Sequence, residues 1–186
     1  MIMRSSHRMA FVLTLAVLSV GARTAVAATG KEISQNARQA LESLCKKNQS
    51  ARLLRKEAHS ILVFPTIYKA GFIVGGQGGD GALFKGSKTI GYYRSVAASY
   101  GLQAGAQKFG YALFLMNDSA LTYLDKSNGW EIGVGPSIVI VDAGVAKALT
   151  TTTGRSDVYA FIFNQKGLMA GLGIQGSKIT KISPEK

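Results

Sequence analysis

The stretch that most constrains the fold of this chain is glycine-rich residues 60–81, which read SILVFPTIYKAGFIVGGQGGDG. Two apolar runs, residues 61–64 and 71–74, come before a cluster of glycines at residues 75–81. Short runs rich in β-branched and aromatic residues, bounded by proline and glycine, predict two strands, the first of which ends at Pro65. Glycine at this density indicates backbone that turns sharply or lies close to another group. The glycines could therefore cradle a ligand or allow a sheet to curve.

The ligand interpretation rests on pattern matches that lack their structural context. The dinucleotide-binding pattern G-x-G-x-x-G occurs at residues 76–81 and at residues 171–176. Such a site needs a helix directly after the glycines, whose N-terminus meets the phosphates, and neither match is followed by helix-like sequence. Residues 81–89 miss the P-loop pattern because an extra serine displaces Lys88. We therefore predict that the glycines shape the sheet.

The first residues have the pattern of a secretory signal peptide. Arg4 and Arg8 precede an apolar core at residues 9–20, and an A-x-A site closes the segment at residues 25–27. This core is too short to favour a membrane span. We predict that residues 1–27 are removed and that a bacterium exports the mature chain to the periplasm or outer envelope, peripheral to a membrane, or secretes it further.

The mature chain is strongly basic. The whole sequence has 22 basic and 10 acidic residues, and the leader holds three of the basic ones, so the mature chain carries a net charge of +9. This balance favours anionic partners such as phospholipid headgroups or polyanionic envelope polymers. Nucleic acid is not an expected partner of an exported protein. Solubility alone is the other interpretation of the charge.

The front of the mature chain predicts two helical pieces. Thr29 and Glu32 fit a capping box, and apolar residues recur at helical spacing as far as Lys47. In the second piece three residues are predicted to face inward: Leu53, Leu54 and Ala58.

Basic residues occupy the other face of the second piece, where Arg52, Arg55 and Lys56 share one stripe. This arrangement is typical of helices that lie on anionic membranes. A solvated helix face docked on a sheet is the alternative. Candidate lipid-contact residues of the helical segment are Arg52, Arg55, Lys56, Lys31, Arg38, Lys46 and Lys47.

The rest of the chain predicts many short strands and one short helix, residues 120–126, capped from residues 117–119. This order predicts an α+β, mainly β domain. Glycine within strands permits tight coiling, so we expect a strongly curved antiparallel sheet or a partly closed barrel. We predict one domain over residues 28–186, helical at residues 29–59 and a glycine-rich β core at residues 60–182.

The sequence offers little for catalysis. The mature chain has one histidine, His59, which lies among basic residues, and its acidic residues are scattered. No pattern predicts a metal or a cofactor, and we expect a protein that is not an enzyme. The only cysteine, Cys45, cannot form an internal disulfide. It is predicted to be a small buried apolar residue, with an intermolecular disulfide as the minority alternative.

Several motifs occur in a fixed order along the chain, and together they are far more specific than any single glycine pattern. These are ILVFP at residues 61–65, KAGF at 69–72, the glycines of 75–81, GLQAGAQ at 101–107 and KGLMAGLGIQGS at 166–177. Together they resemble the SYLF-domain family of lipid-binding proteins over nearly the whole mature chain. The chain differs from the family's usual pattern at Gln175, where most members carry a glutamate.

The resemblance implies non-catalytic binding of anionic phospholipids. Eukaryotic relatives bind phosphoinositides, partly through an amphipathic N-terminal helix, and some bind actin. Bacteria generally lack phosphoinositides, so anionic phospholipid is the better description of the target here. By position, the helix with Arg52, Arg55 and Lys56 corresponds to the family's lipid-binding segment. The alternative function is an interaction module that binds a protein or a polyanionic polymer.

Overall fold

The structure is a computed structural model that describes residues 28–126, 129–141, 156–167, 174 and 176–185, with the backbone alone at 72, 73 and 99–104. The predicted leader, residues 142–155 and most of the glycine-rich motif at 166–177, including Gln175, lie outside these residues. Within them the elements are α1 (Gly30–Lys47), α2 (Gln49–Glu57), β1 (Ser60–Lys85), β2 (Lys88–Leu115), α3 (Asp118–Lys126), β3 (Trp130–Glu131), β4 (Ile138–Ile140), β5 (Val158–Gly167) and β6 (Lys178–Ile182).

The two N-terminal helices begin at side-chain caps. The Thr29 hydroxyl accepts a hydrogen bond from the Glu32 N–H, and the Glu32 carboxylate accepts one from the Thr29 N–H at 2.9 Å, which is the predicted capping box. The Asn48 side chain accepts from the Ala51 N–H at 2.9 Å. Asn48 therefore ends α1 and caps α2, so the second helix starts at once but in a new direction.

One long hairpin replaces the separate strands predicted for residues 60–116. β1 and β2 pair antiparallel along their whole length, from Ser60 opposite Leu115 to Lys85 opposite Lys88. Pro65 does not end the strand, because it lies at a register shift between Phe64 and Ile67. A bulge accommodates a residue that has no N–H to donate to the ladder.

The glycines of residues 75–81 lie where β1 folds back onto its own first half. A Cβ at Gly81 would overlap the Val63 carbonyl and lie 2.7 Å from the Phe64 ring. A Cβ at Gly79 would overlap the Thr66 carbonyl in the same way. These glycines are followed by more strand rather than by a helix. They therefore let the two halves of β1 pack closely together, as predicted for glycines that shape the sheet.

The sheet is strongly curled because the two halves of β2 have different neighbours. β6 pairs with residues 92–96 of β2, whereas β5 pairs with residues 107–115. The strand order is β3-β6-β2-β5-β4, with β1 on β2. The predicted mainly β class with a strongly curved sheet is confirmed. The sheet is mixed rather than purely antiparallel, because β4 and β5 pair in parallel.

Hydrophobic residues fill both faces of this sheet; α1 and α2 cover one face, and α3 lies on the other. Ile33, Ala37 and Leu44 of α1 pack in one cluster with Val63 and Phe84 of β1. On the opposite face, α3 and the β3 region contribute to a second cluster, which contains Leu124, Trp130, Tyr111 and Phe109. The packing fixes α1 and α2 against the sheet and leaves their outer surfaces exposed.

Candidate functional site

A basic groove of about 540 Å³ lies at the junction of α1 and α2. All of its lining residues belong to the two helices. We call it the helix groove; it is formed by Glu42, Cys45, Lys46, Arg52, Arg55 and Lys56.

Helix geometry brings the basic side chains of the groove together. Arg52, Arg55 and Lys56 are spaced i, i+3 and i+4, so they lie on one face of α2. Lys46 joins them from the last turn of α1, where a cation also favours the helix dipole. With four cations and the carboxylate of Glu42, the groove has a net charge of +3. The ion pairs between described residues lie elsewhere, at His59–Asp118, Arg94–Asp80 and Lys181–Asp125.

Leu53 lies on the exposed side of α2, contrary to the sequence prediction that it faces inward. Its exposed fraction is 50%, whereas Leu54 is buried at 7%. The reason is angular: successive helix residues are rotated by about 100°, so a face that buries Ala51 and Leu54 turns Leu53 outward. In the sequence, the i, i+3 spacing of Ala51 and Leu54 is the signal that Leu53 is exposed. Leu53 is therefore exposed next to Lys56 on α2, although it is not one of the residues that line the groove.

The other sequence candidates are placed differently. The Arg38 guanidinium lies over the Phe84 ring, 4.8 Å from its centroid, and donates to the Ser87 carbonyl at 3.1 Å. Arg38 thus holds α1 against the hairpin turn instead of lining the groove. Lys31 is exposed at the first turn of α1 and is not among the groove residues, and Lys47 points into a second groove. Four of the seven predicted residues are brought together.

Cys45 lies at the base of the helix groove with an exposed fraction of 6%, as the prediction of a buried residue requires. Burial raises the pKa of its thiol, and the nearby Arg55 guanidinium opposes that rise. Burial is the larger effect, so the thiolate forms only above the ordinary pH range of a cysteine.

We expect slow alkylation of Cys45 in the folded protein. The rate with iodoacetamide should be far below that of the urea-unfolded chain at the same pH, and its inflection should lie at higher pH, because burial disfavours the thiolate. Mass spectrometry of quenched samples measures both rates. Equal rates in the folded and unfolded chains would contradict the placement of Cys45.

His59, just after α2, contacts Asp118 at the start of α3 through its side chain. Its Nε2 atom lies 2.7 Å from the Asp118 carboxylate, so its nearest charged partner is an acid rather than the neighbouring basic residues. Its backbone N–H donates to the Leu115 carbonyl. In the described residues, no cluster of three or more histidine, cysteine or acidic side chains could hold a metal ion. None of the helices there is long and apolar enough to cross a bilayer.

The fold and the groove together define a curled, mainly β domain that carries a basic, amphipathic helical pair on one side. Residues 96–185 match the family model described as "Ysc84: Las17-binding protein actin regulator". This match, over just under half of the chain, confirms the resemblance to SYLF-domain proteins. The family is associated with actin binding and lipid binding. No curated protein matches the chain.

Proposed function

We propose that this protein docks, without catalysis, on anionic phospholipid surfaces through the helix groove. The observation that carries the proposal is the cluster of Arg52, Arg55 and Lys56 on one exposed face of α2, with the half-exposed Leu53 next to Lys56 on the same helix. Helices that bind at the bilayer interface combine an apolar contact with cations that meet anionic headgroups. The lipid association of the family supports the same function.

The charge on the groove is sufficient for reversible binding. Each basic residue near an anionic membrane surface contributes about 1 kcal/mol, so a net charge of +3 contributes about 3 kcal/mol. Because this attraction is screened within a Debye length, binding should weaken as salt is added. The leader-like residues 1–27 and the net charge favour an exported protein that meets a membrane of the bacterial envelope.

Cosedimentation with lipid vesicles tests the proposal. The protein should pellet with phosphatidylglycerol-containing vesicles at low salt and remain in solution with pure phosphatidylcholine vesicles, because only the former attract the groove. Added salt should release it. Equal binding to the two kinds of vesicle at low salt would refute anionic docking.

We expect Leu53→Gln to weaken vesicle binding by a smaller amount than loss of the charges. Half of this side chain is already covered, so its insertion adds about 1 kcal/mol, which is roughly a five-fold change in partitioning. Titration of the variant with phosphatidylglycerol vesicles measures the change. Ile90→Gln is the matched control, because Ile90 of β2 is also an exposed apolar residue but lies outside the helix groove. Leu121 is not suitable as a control because it packs on the core. An equal loss in both variants would show that Leu53 has no special role.

A protein partner is the second candidate function. The matching family is described by a protein that it binds, Las17, and by actin regulation. A pull-down from envelope extract with the lipid removed by detergent separates the two functions. Partners that remain bound without lipid, and that the charge-reversal variant Arg52→Glu still retains, would favour the interaction module over lipid docking.

A further inference from the structure

A cleft of about 880 Å³ lies between α1 and the β1–β2 hairpin, where β1 folds back. This volume is typical of sites that hold a small organic ligand. The cleft has no lining residue in common with the helix groove. We call it the amide cleft, because the side-chain amides of Asn36, Gln39 and Asn164 line it.

The side chains that line the amide cleft have no net charge, although the whole chain carries +12. Among its described lining residues the charged ones are Asp80 and Arg94, which lie opposite each other on β1 and β2. They neutralise each other through two hydrogen bonds, of 2.6 Å and 2.9 Å. The nearest lysines line the adjoining second groove instead. The cleft therefore suits an uncharged ligand rather than an anionic headgroup.

One face of α1 supplies hydrogen-bonding groups to the cleft. Asn36, Gln39 and Ser43 are spaced i, i+3 and i+7, so they lie in one row along the helix. Thr66 of β1 adds a second hydroxyl from the other wall. Amides and hydroxyls each donate and accept hydrogen bonds, so the ligand must do both at several points. Sugar hydroxyl groups have this property.

Asn164 reaches the cleft from a distorted part of β5. The pairing of β5 with β2 shifts register between Lys108 and Gly110, and Asn164 lies in this bulge. Its φ of 53° makes it the one non-glycine residue in the described part of the chain with a left-handed backbone. A bulge redirects a side chain, and such a backbone costs stability that binding sites often retain. The third amide is thus directed into the cleft at a cost to the strand.

Tyr68 and Gly78 shape the cleft for a ring. Tyr68 is 66% exposed and lines the cleft, and an exposed aromatic ring can cover the carbon face of a sugar. Gly78 lies opposite Val96 on the same lining. A Cβ at Gly78 would lie 3.5 Å from the nearest atom, so the packing does not require glycine there. The missing side chain instead leaves the cleft open.

A peptide strand fits this cleft less well. An extended peptide binds a sheet by pairing with a free strand edge. Here the Thr66 carbonyl lies against Gly79, where a Cβ would overlap it, so β1 covers its own edge. A ligand that uses side-chain amides and an aromatic ring needs no strand edge.

We propose that the amide cleft binds a neutral oligosaccharide. Its hydroxyl groups exchange hydrogen bonds with Asn36, Gln39 and Asn164, and its carbon face lies on the Tyr68 ring. The site is separate from the helix groove, and it does not rest on the proposed membrane docking.

Titration of the whole protein with neutral trisaccharides tests the site. By NMR, at least one of chitotriose, cellotriose and maltotriose should shift signals from the cleft and receive saturation transfer at its C–H groups. Because the site and the sugar lack net charge, the dissociation constant should be the same at low and high salt, unlike that of vesicle docking. Loss of either function therefore gives a distinct result.

Polar variants locate the hydrogen bonds. Asn36→Ala/Gln39→Ala removes two exposed side chains from α1 and should weaken sugar binding by about ten-fold. Alanine favours the helix, so the fold should survive. Gln35→Ala/Gln49→Ala changes two exposed helical residues outside the cleft and should leave binding unchanged.

Two further pairs of variants test the ring and the open space. Tyr68→Ala should weaken binding, whereas Tyr68→Phe, which keeps the ring, should retain most of it. Gly78→Val should obstruct the cleft. Gly76→Val should not, because a Cβ at Gly76 has similar room but lies outside the cleft.

Three results would overturn the proposal. One is that none of the three trisaccharides binds, and another is binding that the Asn36/Gln39 and Tyr68→Ala variants leave unchanged. The third is an equal loss of sugar binding in Lys108→Gln/Lys166→Gln, which alters only the adjoining second groove. A neutral peptide, tetraserine, that occupied the cleft when no sugar did would assign it to peptides instead.

Discussion

Gly81→Ala is expected to destabilise the protein severely, by about 3 kcal/mol or more, which is enough to unfold a marginally stable domain. The new Cβ would overlap the Val63 carbonyl and the Phe64 ring, at the point where β1 folds back on itself. Neither neighbour can give way easily. Val63 and Phe64 are fully buried in a strand that is paired with β2.

Two neighbouring glycines provide the matched control. A Cβ at Gly76 would lie 3.7 Å from the Ala97 carbonyl, and one at Gly78 would lie 3.5 Å from the Ser95 carbonyl, which are ordinary contacts. Gly76→Ala and Gly78→Ala should therefore change the free energy of unfolding by less than about 1 kcal/mol. Urea unfolding followed by circular dichroism measures all of these variants. If Gly81→Ala proved as stable as Gly76→Ala, the fold-back of β1 would be wrong.

The largest functional effect is expected from the triple variant Arg52→Gln/Arg55→Gln/Lys56→Gln. It removes three cations from the helix groove, which at about 1 kcal/mol each corresponds to a loss of roughly 100-fold in partitioning onto phosphatidylglycerol vesicles at low salt. The fold should survive, because all three side chains are exposed. Cosedimentation across a range of lipid concentrations measures the change.

A charge-matched control separates the groove from the overall charge of the chain. Lys85→Gln/Lys88→Gln/Lys126→Gln also removes three cations, at exposed positions outside the helix groove. It should lose much less binding than the groove variant. Equal losses would mean that only the net charge matters, as the solubility interpretation of the composition predicts.

Local features of the sequence were good predictors of the helices. The capping pair Thr29 and Glu32 and the cap at Asn117 act within a few residues, and each is found as predicted. The strands were less predictable. Pro65 and the glycines look like strand ends, but pairing with β2 along its whole length carries β1 through them. That pairing depends on residues far away in the sequence.

In the candidate sites too, local spacing predicted some features, whereas contacts between distant parts of the chain decided the others. The basic stripe of α2 follows from spacing alone, and so does the exposure of Leu53 once Ala51 is recognised as buried. Arg38 of α1 does not join the helix groove because its guanidinium packs on the Phe84 ring, which β1 contributes. The facing pair Lys108 and Lys166 was not predicted, since only the register of β2 and β5 places the two residues opposite each other.

The most direct test of membrane docking is the environment of residue 53 on a vesicle. A fluorescent NBD group can be attached to Leu53→Cys, and for comparison to Ser87→Cys at the hairpin turn, both in a Cys45→Ala background. With phosphatidylglycerol vesicles, the emission from position 53 should shift to the blue and brighten, while position 87 should not change, and phosphatidylcholine vesicles should affect neither. An unchanged signal at position 53, or the same shift at both positions, would contradict docking through the helix groove.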